Sequence, residues 1–199
     1  MSTPELKPMP KGVETVSVTK RSAAITQLET AIWLWFNEID PISVHTLAVA
    51  AHDCFGALVS HAGRETSELH TWLRSQSKER QKRARLTQNF FKHGAKKLSS
   101  KITFGTIDAE AFMMDSVTCY EMLPDAPPTA LMRLYAQRFL YEHPALITKD
   151  ALPIFAKNSE IHQLANSTRK EFFQKLFLVF VERYGNIRLA PWGKSLANL

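Results

Sequence analysis

The feature that most constrains this chain is a pair of helix-period apolar stripes joined through an Asp-Pro step. Within 22–37, Ala24, Ile25, Leu28, Ala31, Ile32, Leu34, Trp35 and Phe36 recur at spacings of three and four, which puts them on one wide helical face. Asp40 and Pro41 follow. A carboxylate can accept hydrogen bonds from the free amides of a first turn, and proline in the first helical position gives up no bond, so a second helix is expected from Pro41 to about His61. Its apolar set, Val44, Leu47, Ala48, Ala51, Phe55, Leu58 and Val59, keeps the same period, and Gly63 is placed to take a left-handed stop. Two helices joined this tightly are expected to form an antiparallel hairpin, with Ala48, Ala50 and Ala51 permitting close approach.

The same signals continue downstream. A short helix is expected around Ser67 to Leu73, then a basic helix from near Ser77 to about His93 with Leu86, Phe90 and Phe91 as its buried edge. Ile102, Thr103 and Phe104 read as a brief extended piece. Thr106 is a candidate cap for a helix over Asp108 to Met122, with Ile107, Ala111, Met114, Val117 and Cys119 or Tyr120 turned inward, and prolines in 124–128 end it. Another helix follows from about Thr129 to Tyr141, and short helical turns from 145 to 165. Thr168 and Glu171 have capping-box spacing for a last helix with Phe172, Phe173, Leu176, Phe177, Val179 and Phe180 on its apolar face, stopped by Gly185. No repeat and no strand–helix alternation interrupts this pattern. The expected fold is an all-α, single-domain multi-helix bundle over 21–185 with an N-terminal helical hairpin, a mobile arm over 1–20 and an irregular tail over 186–199. A chain of 199 residues can build such a core without metal or disulfide staples.

Several function classes find no support in the sequence. Cys54 and Cys119 stand far apart in apolar surroundings, so neither a disulfide framework nor a paired-cysteine metal site is indicated. The longest uninterrupted apolar runs, 31–36 and 176–181, are far shorter than the ~20 residues of a membrane span, and the first twenty residues carry no apolar signal core. A cytoplasmic location with no membrane partner is therefore the expectation. His45, His52, His61 and His70 are separated by seven, nine and nine residues. Ligands of one metal on one helix stand three or four apart, whereas seven residues span ~10.5 Å along the axis, so no metal site and no cofactor are expected. The segment 185–195 ends like a phosphate-binding loop, but its glycines are too widely spaced and a helix precedes it.

Charge is the more telling property. Net charge is +6, yet the segment 74–101 holds ten basic residues and one acid, an excess of +9 that leaves the remainder at −3. Lys78, Arg80, Lys82, Arg83, Arg85, Lys92, Lys96 and Lys97 are the candidate nucleic-acid-binding residues, since lysine and arginine neutralise phosphates and an exposed phenylalanine can stack on a base. The alternative is that a charged helical face serves only to solvate the helix. His45 and His52 share a helix face two turns apart; they border a core in which a neutral imidazole finds a backbone or acidic partner, or His45, with Asn89, lines a groove between helices.

Two stretches, AIWLWFNEIDPISVHTLAVAAHDCF over 31–55 and QNFFKH over 88–93, resemble a group of uncharacterised bacterial all-helical proteins with the same Asp-Pro, His-Thr-Leu and Asn-Phe-Phe-Lys-His segments. The layout is also distantly similar to the HEPN superfamily, helical bundles that are often dimers and include metal-independent ribonucleases. That resemblance implies a homodimer in which His93 transfers a proton and an arginine holds the phosphate, with Asn89 as the intervening polar residue. The position expected for the arginine holds Gln88, and Arg85 leaves seven residues between itself and His93 where the family has four to six. Glutamine lacks the permanent charge that a phosphorane-like transition state calls for, so Arg85 is the candidate catalytic partner of His93. Three functions follow as expectations: an RNA- or DNA-binding protein using 74–101, a HEPN-like ribonuclease using His93 and Arg85, and a non-catalytic interaction module that dimerises through the hairpin 22–61.

Overall fold

The computed structural model describes residues 17–92, 99, 101–124, 127–146, 164 and 166–185. Its helices are α1 (Lys20–Phe36), α2 (Pro41–His61), α3 (Glu68–Ser75), α4 (Lys78–Ala84), α5 (Leu86–Lys92), α6 (Thr106–Glu121), α7 (Ala130–Glu142) and α8 (Arg169–Tyr184), with a 3-10 turn at Pro144–Leu146. The fold is an all-α bundle that begins with a helical hairpin, and no strand occurs among the described residues. Helix α2 is the central element, packing most extensively on α1 and α6, while α8 lies against α7.

Local chemistry explains most boundaries. Asp40 accepts from the amides of Ile42 at 3.0 Å and Ser43 at 3.1 Å, which starts α2 behind Pro41. Beyond the Ala62 C-cap, Gly63 takes φ +69, so that its amide reaches Ser60 O at 3.1 Å and the Arg64 amide reaches Val59 O at 3.2 Å, closing the helix end. Helix α1 begins one turn earlier than its apolar stripe, because Thr19 and Ser22 form a reciprocal cap. Thr168 and Glu171 do the same for α8, and Gly185 ends it at φ 67.

The core is aromatic at its centre. Phe36 is fully buried between Trp35, Phe172 and Phe173, with ring centroids at 4.9, 6.3 and 5.2 Å. Burying a side chain of this size contributes roughly 2–3 kcal/mol. Val44, Ala48, Ala51, Phe55 and Val59 are buried in the same core, so the apolar face of the hairpin is occupied within the chain. Helix α2 is long and apolar enough to cross a membrane, with mean hydropathy 1.4, but half of the relevant window is buried inside the bundle.

Five expectations are corrected. The basic helix is two helices that meet at Arg85, although the amide ladder still passes through the bend, from Arg85 N to Gln81 O at 3.2 Å and from Asn89 N to Arg85 O at 2.9 Å. That bend changes which side chains are covered: Thr87 and Gln88 are buried, whereas Leu86 is 56% and Phe90 37% exposed, and Phe91 is half-buried. Thr106 is the first residue of α6 and caps nothing; Gly105 is the N-cap and makes no side-chain bond. The inner face of α6 is rotated from the apolar stripe, leaving Ile107 exposed and burying Glu110, Asp115 and Ser116 beside Ala109, Met113 and Val117. Val179 of α8 is likewise exposed. Where buried acids have partners waiting, the apolar period alone misplaces the face.

Candidate functional site

Three helices bring His52, His70 and Asp115 together. His52 lies on the inner face of α2, three residues before Phe55, so the helical repeat that builds the core also carries this imidazole inward. Asp115 sits on the buried face of α6, and His52 Nε2 is 2.7 Å from Asp115 Oδ2. The Cys119 thiol donates to the same oxygen at 3.9 Å, and burial pushes that thiol up from its ordinary pKa, which keeps it protonated. His70 comes from α3, whose first turn is organised by Ser67: its Oγ accepts from the His70 amide at 3.2 Å. The His52 and His70 ring centroids are 5.2 Å apart.

Gly56 makes room for His70. A Cβ built there would stand 2.2 Å from His70 Cε1 and 2.7 Å from Nδ1, so a larger residue and this ring position exclude one another. Both histidines are buried, at 1% and 6% exposure. His52 Nδ1 and both nitrogens of His70 have no hydrogen-bond partner among the described residues. Burial, and next the nearby His52 and Arg74, hold the His70 imidazole below its ordinary pKa, so it is neutral at pH 7.

This cluster opens onto a cavity of about 280 Å³ lined by Val49, His52, Asp53, Ala57, His70, Arg74, Gln81, Arg85 and Phe112. Gln81 braces the wall formed by the basic segment, donating from Nε2 to Arg74 O at 3.1 Å and Gln76 O at 2.8 Å. Arg85 forms an ion pair with Asp53 at 2.9 Å, and both side chains keep solvent contact. The cavity thus presents two guanidinium groups, one partly compensated, beside two buried imidazoles.

The residues singled out in the sequence are distributed as follows. Arg74, Lys78, Lys82, Arg85 and Lys101 are exposed. The side chains of Arg80, Arg83 and Lys92, and the whole of His93, Lys96 and Lys97, lie outside the described residues, so the pairing of His93 with Arg85 does too. Asn89 is exposed, but it does not line the cavity. His45 is fully buried against the rings of Phe91, Phe104 and Phe112, with centroids 6.1, 5.6 and 6.2 Å away. It is therefore a core residue, and a groove-lining role is corrected; burial holds its pKa down despite the opposing charge of Asp108. The acidic partner expected for a core histidine is found by His52.

Helix-local spacing could not reveal the triad, because its members belong to different helices. The available signal was subtler: polar residues, His52 and Asp115, within apolar stripes, and a glycine in the middle of α2.

A second buried polar cluster lies across α6. Glu110 accepts from Trp35 Nε1 at 3.0 Å and from Arg169 at 2.9 Å, with His143 Nε2 at 3.2 Å, while the Tyr135 hydroxyl donates to its backbone carbonyl at 2.7 Å. Arg169 also binds Glu142 and lies 4.0 Å over the Trp35 ring; Arg138 donates to Glu142 at 2.7 Å. Glu110, Glu142 and His143 converge closely enough to hold a cation, and the Arg169 guanidinium already fills that role. Comparisons of the chain with protein-family models, curated proteins and solved structures gave no match.

Proposed function

We propose that this protein binds a polyanion, RNA or DNA, along the basic segment, with the cavity between α2 and that segment receiving a phosphate. The observation that carries this reading is the presence of Arg74 and Arg85 in the wall of one cavity, on a segment whose other described cations, Lys78, Lys82 and Lys101, are exposed. Guanidinium groups match phosphate oxygens in geometry as well as charge. Trp72 and Phe90, 53% and 37% exposed on the same segment, add apolar rings on which bases can stack. The Arg85–Asp53 pair subtracts from the local field without closing the cavity.

The test is a binding titration with labelled single-stranded RNA and DNA at several salt concentrations. Affinity should fall steeply with salt, with a log–log slope of roughly −0.7 per phosphate engaged on a single strand. Replacing Lys82, Arg83 and Arg85 together with alanine should weaken binding for all sequences alike, and Arg74→Gln should reduce the steepness of the slope by about 0.7, the loss of one phosphate contact. Salt-insensitive binding, or a triple variant that binds as well as the parent, overturns the reading.

A ribonuclease reading is favoured by one feature, the presence of Arg85 in the same cavity as two buried imidazoles. Its test is cleavage of single-stranded and structured RNA by the purified chain. His93→Ala and His52→Ala separate the residue implied by the family resemblance from the one that lines the cavity, and intact RNA in every case removes this reading.

A further inference from the structure

We infer that His52, His70 and Asp115 form a site for a divalent transition-metal ion of the zinc class, with its open coordination position facing the cavity. Ligand atoms of the three residues all lie within 4.8 Å of one another, and all three residues are buried. In a filled tetrahedral site with bonds of about 2.0–2.1 Å, neighbouring ligand atoms are about 3.3 Å apart. The set has to close by at most about 1.5 Å to reach that spacing. Two imidazoles and one carboxylate suit zinc and its first-row neighbours, whereas magnesium and calcium favour all-oxygen sets.

A second observation points the same way. Buried imidazole nitrogens almost always have partners, yet His52 Nδ1 and both nitrogens of His70 have none among the described residues. The ligand atoms of His52 and Asp115 already face one another, Nε2 to Oδ2 at 2.7 Å, so with the imidazole proton on Nδ1 both would present lone pairs to the same side. Gly56 fits the arrangement too, since it is the absence of a side chain there that seats His70 opposite His52. Three protein ligands leave a fourth position, and because His52 and His70 both border the cavity, that position is reachable by water or by a phosphate oxygen held between Arg74 and Arg85. Cys119 touches Asp115 but does not converge with both histidines, so it is left out of the ligand set.

The site does not depend on polynucleotide binding, and its test uses the metal alone. The full chain, stripped with chelator, is titrated with Zn²⁺ by calorimetry and with Co²⁺ as an optical probe. About one equivalent should bind per chain, with a Co²⁺ visible spectrum of the intense four- or five-coordinate kind. His70→Gln and Asp115→Asn should weaken binding at least ~10-fold, and Gly56→Ala, which keeps every ligand but displaces His70, should do likewise. His61→Ala, which removes an exposed histidine at the end of the same helix, should bind like the parent. Circular dichroism checks that each variant folds, and the unsubstituted chain decides the matter if one does not. Absence of saturable Zn²⁺ and Co²⁺ binding, a weak octahedral Co²⁺ spectrum, or binding lost in His61→Ala and kept in folded His70→Gln overturns the inference.

Discussion

The two buried polar clusters on α6 are built from similar residues and end in opposite states. Around Glu110, the carboxylates meet a guanidinium, an indole N–H and an imidazole, so the buried charge is compensated by neighbours from α1, α7 and α8. Around Asp115, the carboxylate meets one imidazole and a thiol, and three nitrogens close by lack partners among the described residues. The first cluster is closed by Arg169; the second faces a cavity. The difference teaches where to look for function: a saturated network fastens helices together, while an unsaturated one beside a cavity is equipped to take a ligand.

The largest effect should come from breaking the closed cluster. Arg169→Met leaves Glu110 and Glu142 without their shared cation, and stability should fall by about 3–5 kcal/mol in urea denaturation, the usual cost of stranding a buried charge. Burial works to raise the Glu142 carboxyl, but hydrogen bonds from Arg169 and Arg138 hold it below its ordinary value of 4.5. A depressed carboxyl contributes stability above pH 4.5 that is lost as pH falls through the lower folded value. That acid-side loss should shrink in Arg169→Met. A change below about 1 kcal/mol would show that the network is only superficial.

Gly56→Ala comes next, and its sign is diagnostic. In an ordinary helix interior, glycine to alanine stabilises by about 1 kcal/mol. Here the new Cβ meets His70, so a loss of about 1–3 kcal/mol is expected. A gain in thermal stability would mean that His70 does not pack there, and the open cluster would dissolve with it. Thr168→Ala should cost about 1 kcal/mol by removing the cap that begins α8 one residue before Arg169. The same variant should also loosen the closed cluster, visible as faster hydrogen exchange of the Trp35 indole N–H.

The smallest effect is a pH dependence on the neutral side. Burial lowers the pKa of both His45 and His70 from 6.5, so the unfolded chain takes up protons that the folded chain refuses. Stability should be flat above pH 6.5 and decline as pH falls below it. His45→Phe should reduce that decline, because a ring among Phe91, Phe104 and Phe112 no longer carries a titrating group. Zinc should raise the melting temperature of the parent while leaving Arg169→Met equally responsive, since the two clusters use different residues.

Much of the fold was legible because it is written locally. Asp40-Pro41, Gly63, Thr168 with Glu171, and Gly185 satisfy or terminate amides within a few residues, and each does in the structure what its chemistry requires. The hairpin stripe was legible for a related reason, since α1 and α2 face one another across a short turn. The basic segment was legible in charge but not in shape. Whether Leu86 or Thr87 is covered depends on the bend at Arg85 and on packing against α2, neither of which a helical period contains.

Sequence alone determined the helical class, the ends of the hairpin and of the last helix, and the concentration of positive charge, because capping, proline stops and amphipathic period act over three or four residues. Only the tertiary structure decided that His52, His70 and Asp115 meet, that Arg169 closes one acidic cluster, and that Arg85 turns toward Asp53. Those meetings join residues from 18 to 63 positions apart, and over such separations position follows from how three helices pack around a glycine, which no local pattern encodes.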